Sequence, residues 1–294
     1  MKKSFFILIG ITSLAITSCD FVNKPLDVSV SSGGNTGDSS VVRKVLVEDY
    51  TGHECGNCPH AADEINNTLI PTYGNKVIPI AVHAGSFAEP AAVPFDGDFR
   101  TNAGDAYDSP TFFDISGPNG NPNGMINRIH YNLTTYSHVK AYSTWGQYVD
   151  SLISVPADAK ISLNTTYNVS SRTASISVES KFLSNLSGNY RLCLLLTQDS
   201  IIAAQKFYYP TTHVEPNYVH QHVLRDAING IWGTDVITTG SATTGQIINN
   251  SYSYSIPTTI KNIPCDDNHC HIVAFIYNTS TYEVIQVEEA KVIE

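Results

Sequence analysis

Basic residues are scarce: 17 Lys and Arg stand against 27 Asp and Glu in 294 residues, and nowhere do several Lys or Arg cluster. That balance argues against a nucleic-acid partner. After the N-terminal segment no apolar run reaches the ~18 residues that a membrane-spanning helix requires. There is no Gly-rich phosphate loop, Ser nucleophile elbow, paired-carboxylate motif or zincin helix, so nucleotide binding and ordinary hydrolase chemistry have no foothold and no cofactor is implied. Internal repeats of fixed period are missing too, which excludes solenoids and propellers.

What is present suffices for real cores: 42% of residues are hydrophobic and 10% aromatic, so folding needs no disulfide staples. The length favours two domains. Residues 1–18, "MKKSFFILIGITSLAITS", read as a signal peptide, two lysines followed by an apolar run. Small residues precede Cys19, and this resembles a bacterial lipobox in which Cys19 becomes the lipidated N-terminus; the expectation is attachment to a membrane by a lipid anchor. Residues 19–40 are rich in Ser, Gly, Asn and Asp and read as a flexible tether.

From residue 41 the pattern becomes structured. "VVRKVLVEDY" is a Val-rich run of buried-strand type, "PHAADEINNTLIPTYG" carries Ala61, Ala62, Ile65 and Leu69 at helical spacing, and "KVIPIAVHAG" is a second buried strand. This order predicts a parallel strand–helix–strand unit. The Pro- and Gly-broken stretch over 86–117 reads as a surface insertion with short helical pieces. A helix bearing Val139, Tyr142, Trp145, Val149 and Leu152 on one stripe closes a first domain at residue 155. From 156 to 294 the runs take a period of two, which predicts an all-β, Ig-like sandwich.

Between the first strand and the helix stands "CGNCP". A helix N-terminus stabilises a thiolate at Cys55 and lowers its pKa. Cys55 then attacks a substrate disulfide and Cys58, one turn on, resolves the mixed disulfide. A negative Glu54 opposes that activation, while His53 and His60, if protonated, support it. An inert structural disulfide is the alternative reading in an exported protein. Zinc is poorly served, because no second CxxC follows.

The sequence strand, Cys55-Gly56-Asn57-Cys58-Pro59, helix resembles thioredoxin-like domains. The resemblance implies that Asp49 is the buried carboxylate aiding proton transfer and that Pro122, in "GNPNGMINR", is the cis-proline facing the dithiol, with Pro110 as the other candidate. Glu54 and the Gly-Asn pair depart from the usual thioredoxin pattern. Through "VLVEDYTGHECGNCP", "GNPNGMINR", "YVHQHVLRDAINGIWG" and "VAFIYNTSTYEVIQVEEAKV" the chain resembles the Omp-twenty-eight-related outer-membrane lipoproteins of Bacteroidota. This implies an α/β thioredoxin-like N-terminal domain (41–155) followed by a β-sandwich (156–294), held at the outer membrane on its periplasmic or cell-surface face.

Cys265 and Cys270 bracket "DDNH" between two strands, and a local structural disulfide is expected there. His213, His220, His222, His269 and His271 are the alternative, a soft-metal site, if folding gathers them; no metal is assigned. Cys193, inside an apolar strand, reads as a buried free thiol, and His83 as a hydrogen-bonded structural histidine at a strand end. Arg225 and Asp226 read as a local ion pair or a contact between segments. Two functions remain open: binding or assembly with a protein partner in the envelope, and, if the chain is an enzyme, extracytoplasmic thiol–disulfide exchange by Cys55 and Cys58 with Asp49 and Pro122.

Overall fold

A computed structural model describes residues 41–117 and 120–293, all within the compact unit Asn35–Glu294. The expected signal peptide (1–18), the expected tether (19–40) and Cys19, the expected lipidation site, lie outside the described residues.

Strand β1 (Val45–Thr51) is buried along its whole length, as its Val-rich sequence requires. It pairs in parallel with β2 (Val77–His83), Val45 facing Val77 through Thr51 facing His83. The crossover between them is helical: α1 starts at Cys58 and runs as an α-helix to Asp63, widens to a π-helix over Glu64–Leu69, and returns to an α-helix over Ile70–Tyr73. Apolar Ala61, Ile65 and Leu69 face the sheet. Gly74, at φ 58°, ends it, since positive φ suits glycine. Pro71 does not stop the helix, contrary to its usual effect: the wide turn before it sends the Ile70 N–H to the Ile65 carbonyl, and the missing proline N–H falls in this reorganised region. Strand β3 (Asn123–Ile126) adds antiparallel to the other side of β1, and the Asn121–Pro122 peptide leading into it is cis, as expected.

The insertion over 86–117 is not peripheral. It contains α2 (Asn102–Tyr107), and Phe99, Tyr107, Phe113 and Ile115 are buried; its prolines break regular structure without keeping its aromatics out of the core. Helix α3 (Trp145–Ile153) buries Trp145, Val149 and Leu152 as expected, but it starts later than the stripe predicts: Tyr142 lies in a 3-10 turn ahead of it and Val139 before that turn.

The second half supplies β4 (Ala159–Asn168), β5 (Thr173–Phe182), β6 (Tyr190–Gln198), β7 (Ile201–Phe207), β8 (His213–His220), β9 (Val223–Ala227), β10 (Thr234–Ile237), β11 (Ile247–Ser255), β12 (Cys270–Asn278) and β13 (Val284–Lys291). Strands β11-β5-β4 form one sheet, and their alternating inner residues Ile161, Ile176 and Val178 pack on Leu192, Leu194 and Leu196 of β6. This is the β-sandwich, and the described residues are mostly sheet with few helices.

The boundary drawn at 155/156 does not divide the sheets. One eight-stranded mixed sheet runs β13-β12-β6-β9-β2-β1-β3, with β10 also on β6, and Val223 of β9 joins Ala81 of β2 across that boundary. In consequence β6 and β12 are covered on both faces. Leu192, Leu194, Ile272 and Ile276 point into the sandwich core, while Cys193, Leu195, Val273 and Phe275 point into a second core with β1, β2 and the insertion. Strands buried on two faces lose the apolar–polar alternation, which is why "RLCLLLTQ" and "CHIVAFIYN" read as continuous apolar runs.

A buried ion pair marks the same junction. Arg128 reaches Glu48 of β1 through Nε–Oε2 at 2.8 Å and Nη2–Oε1 at 2.7 Å, and both side chains are about 1% exposed. Its guanidinium lies 4.8–4.9 Å from the ring centres of Tyr107, Phe113 and Phe275. The planar guanidinium thus satisfies the carboxylate with its edge and the aromatic rings with its faces.

Candidate functional site

Where β1 ends, the chain turns through Gly52–Asn57 into α1. The Cys55 N–H donates to the Gly52 carbonyl at 3.0 Å and the Cys58 N–H to the Cys55 carbonyl at 3.1 Å, so the turn is set by its own backbone. Cys55 and Cys58 are joined in a disulfide with S–S 2.08 Å. Each is only 2% exposed.

The cover comes from a segment 150 residues further along the sequence. The β7–β8 hairpin lies along the cysteine turn: the Lys206 N–H donates to the His53 carbonyl and the Tyr208 N–H to the Gly56 carbonyl, both at 2.9 Å. Gln205, 3% exposed, sends its side-chain Nε2 to the Cys55 carbonyl at 3.1 Å. The Tyr208 ring rests so closely on Gly56 that a Cβ there would stand 2.5 Å from it. On the opposite flank Gly52 touches the Phe87 carbonyl, and the Glu54 N–H donates to it at 3.0 Å. Glycine is needed at 52 and 56 because backbone and ring approach to within the space of a side chain.

Beneath the disulfide lies a buried group of titratable side chains. Asp49, 2% exposed, has one carboxylate oxygen with no hydrogen-bond partner, and burial raises its pKa to about 8. His83 and His220 meet at 5.6 Å between ring centres, and the Phe99 ring packs on both, at 5.0 and 5.1 Å. Burial, then His220, push His83 well below the ordinary histidine range, and burial, then His53, lower His220 to about 4. These histidines are neutral at physiological pH. Neither ring nitrogen of His83 has a partner, so the hydrogen-bonded role expected for it is not what the structure holds; aromatic contact fixes the ring instead.

The other expected sites fare differently. Cys265 and Cys270 are free thiols with sulfurs 3.7 Å apart, so the expected disulfide is not formed. The Cys270 Sγ donates to the Asp266 carbonyl at 3.2 Å, a bond the thiol can make and a disulfide sulfur cannot. The histidines considered as metal ligands are scattered. His213 is exposed and stacks on Phe207, and His271 faces Glu289 at 3.3 Å. Among the described residues no group of three or more His, Cys, Asp or Glu side chains is placed to hold a metal ion. Cys193 is a buried free thiol, its pKa raised to about 11 by burial. Arg225 and Asp226 do not pair with each other but make the contact between segments: Arg225 donates to the Ile260 and Ile263 carbonyls, and Asp226 accepts from the Tyr254 hydroxyl.

Gln205, Tyr208 and Phe99 escaped sequence reasoning. The only cue is the aromatic density of "QKFYYP", since residues 150 apart meet here.

The fold is shared with HBP35 of Porphyromonas gingivalis: 85% of this chain aligns on 75% of that one with a TM-score of 0.60, at 16% sequence identity. A domain of the outer membrane lipoprotein Omp28 from the same organism aligns on 47% of this chain and 89% of its own, with a TM-score of 0.32 and 20% identity. No curated protein matches the sequence. The model of the family described as outer membrane protein Omp28 matches residues 110–294. The chain therefore belongs to the Omp28 family and is an outer-membrane protein of the cell envelope. No helix among the described residues is long and apolar enough to cross a membrane.

Proposed function

We propose that this is a lipid-anchored outer-membrane protein whose work is binding or assembly with a protein partner, and that Cys55–Cys58 is a structural staple within its strand–helix–strand unit. Cys19 carries the anchor in this reading, as its small-residue approach suggests. The observation that carries the staple role is the seal over the disulfide: each cysteine is 2% exposed, and the hairpin is bonded to the cysteine turn at His53, Cys55 and Gly56. A nucleophilic thiol must reach a substrate sulfur in line with its own disulfide, and a covered pair offers no such approach.

The test is catalysed reduction of a model protein disulfide by dithiothreitol. The wild-type chain should be no faster than a Cys55→Ser/Cys58→Ser variant, and the variant should lose stability because its turn is no longer cross-linked. A rate that depends on Cys55 sinks the staple reading.

One observation favours a second reading, thiol–disulfide exchange of the thioredoxin-like kind. Asp49, with its raised pKa, lies under the pair as a proton relay would, with cis-Pro122 shaping a substrate groove. Under it the hairpin must lift, Cys58→Ser must trap mixed disulfides through Cys55, and Cys55→Ser must trap none.

A further inference from the structure

We infer that the cleft beside β7 binds an extended, cationic peptide segment of a partner protein as an added strand; this deepens the binding reading above and rests on it. The cleft has a volume of about 1100 Å³ and lies between Ile201–Ala204 of β7, the insertion from Pro90 to Phe99, and the segment Lys261–Pro264. That exceeds the roughly 300–1,000 Å³ typical of small-molecule sites and suits a length of chain.

The edge of β7 is open there and closed elsewhere. Backbone groups alternate sides along a strand. The Lys206 and Tyr208 N–H groups leave the hairpin for His53 and Gly56; the register shift between Ala203 and Gln205 puts its extra residue on β8, where Tyr218 to Glu215 spans the same step, so β7 keeps its alternation and the Ile202 and Ala204 N–H groups point the same way, along the part of β7 that lines the cleft. Among the described residues strand β7 pairs only with β8. Exposed edges normally invite unwanted pairing and are blunted; this one sits between two walls, accessible to a single strand. The chain thus presents the edge that strand-addition recognition uses.

Two further features define the occupant. Gln198 is 4% exposed and lines the cleft, and its side-chain carbonyl oxygen has no partner. A buried acceptor of this kind can take a donor from a ligand in place of a water. Phe99, Ile201 and Ile263 form one apolar cluster on the floor, so alternate side chains of the guest should be apolar. Asp96, Asp98 and Asp266 line the walls; Asp98 is held by Lys261 at 3.3 Å and by Arg100 at 3.0 Å, which leaves Asp96 and Asp266 as the negative charge facing the cleft. The remaining negative charge selects Lys or Arg at the intervening positions.

The test uses the folded chain and a short end-blocked peptide of alternating lysine and valine, with binding followed by calorimetry at low salt. A glutamate–valine peptide should not bind. Replacing the backbone N–H groups along one peptide edge with N-methyl groups should weaken binding about tenfold or more. Ile202→Pro removes an N–H that the hairpin does not use and should weaken it to a similar degree, while Ile202→Val should bind as wild type. Equal affinity for both peptide charges, or indifference to N-methylation, overturns the inference. The N-methyl peptide decides on wild-type protein even if Ile202→Pro fails to fold. Should in-cell cross-linking still give a discrete partner at the envelope while the lysine–valine peptide fails, the cleft assignment falls and the binding reading survives. Absence of both removes the binding reading as well.

Discussion

Asp49 keeps a proton in the folded protein that the unfolded chain gives up. Its pKa moves from 3.8 to about 8 because burial penalises the carboxylate, so between those values the folded state binds more protons than the unfolded one. Stability therefore falls as pH rises from about 4 to about 8. His220 acts oppositely: with a pKa lowered from 6.5 to about 4, it contributes stability that is full above 6.5 and lost as pH falls towards 4. Asp49→Asn isolates the first effect. Denaturant titrations over pH 4 to 8 should show wild type gaining on the variant by on the order of a few kcal/mol as pH drops; a difference that stays flat contradicts an ionisable, buried Asp49.

The hairpin β7–β8 is the element that gives the cysteine turn its character. Removing the Tyr208 ring from Gly56 should open the disulfide without touching its covalent frame, so Tyr208→Ala should speed its reduction by dithiothreitol severalfold at unchanged fold. No acceleration would mean that the ring does not gate access. The strand–helix–strand unit was legible in the sequence because its signals are local: a Val run, a turn with two cysteines, then Ala61, Ile65 and Leu69 at helical spacing. The cover was not, because the hydrogen bonds that dock Gln205, Lys206 and Tyr208 on the turn join segments with no shared periodicity. The burial of the insertion was hidden for a similar reason. Proline and glycine in it predict irregular backbone with short helical pieces correctly, but irregular backbone still buried Phe99 and Phe113, and the short helix buried Tyr107.

Across the whole molecule, the expected chain of two domains becomes one continuous sheet with a sandwich on part of it. The Val/Ile-rich runs of β6 and β12 identified strands; what they could not reveal is that a second core waits on the other face. Since β2 leans on β9 and Arg128 joins Glu48 to a cage that includes Phe275, residues 41–155 expressed alone should not fold, and a well-dispersed amide spectrum from that fragment would refute the shared-sheet argument. Arg128→Ala strands the Glu48 charge in the interior and should cost about 3–5 kcal/mol in equilibrium unfolding; a loss near zero would mean that the pair contributes nothing at the junction. The most direct test of the central claim is the reduction potential of Cys55–Cys58 in the intact chain, read by thiol trapping in graded redox buffers. A sealed structural staple predicts a value below about −300 mV, and a value between roughly −270 and −120 mV, where exchange proteins work, would contradict it.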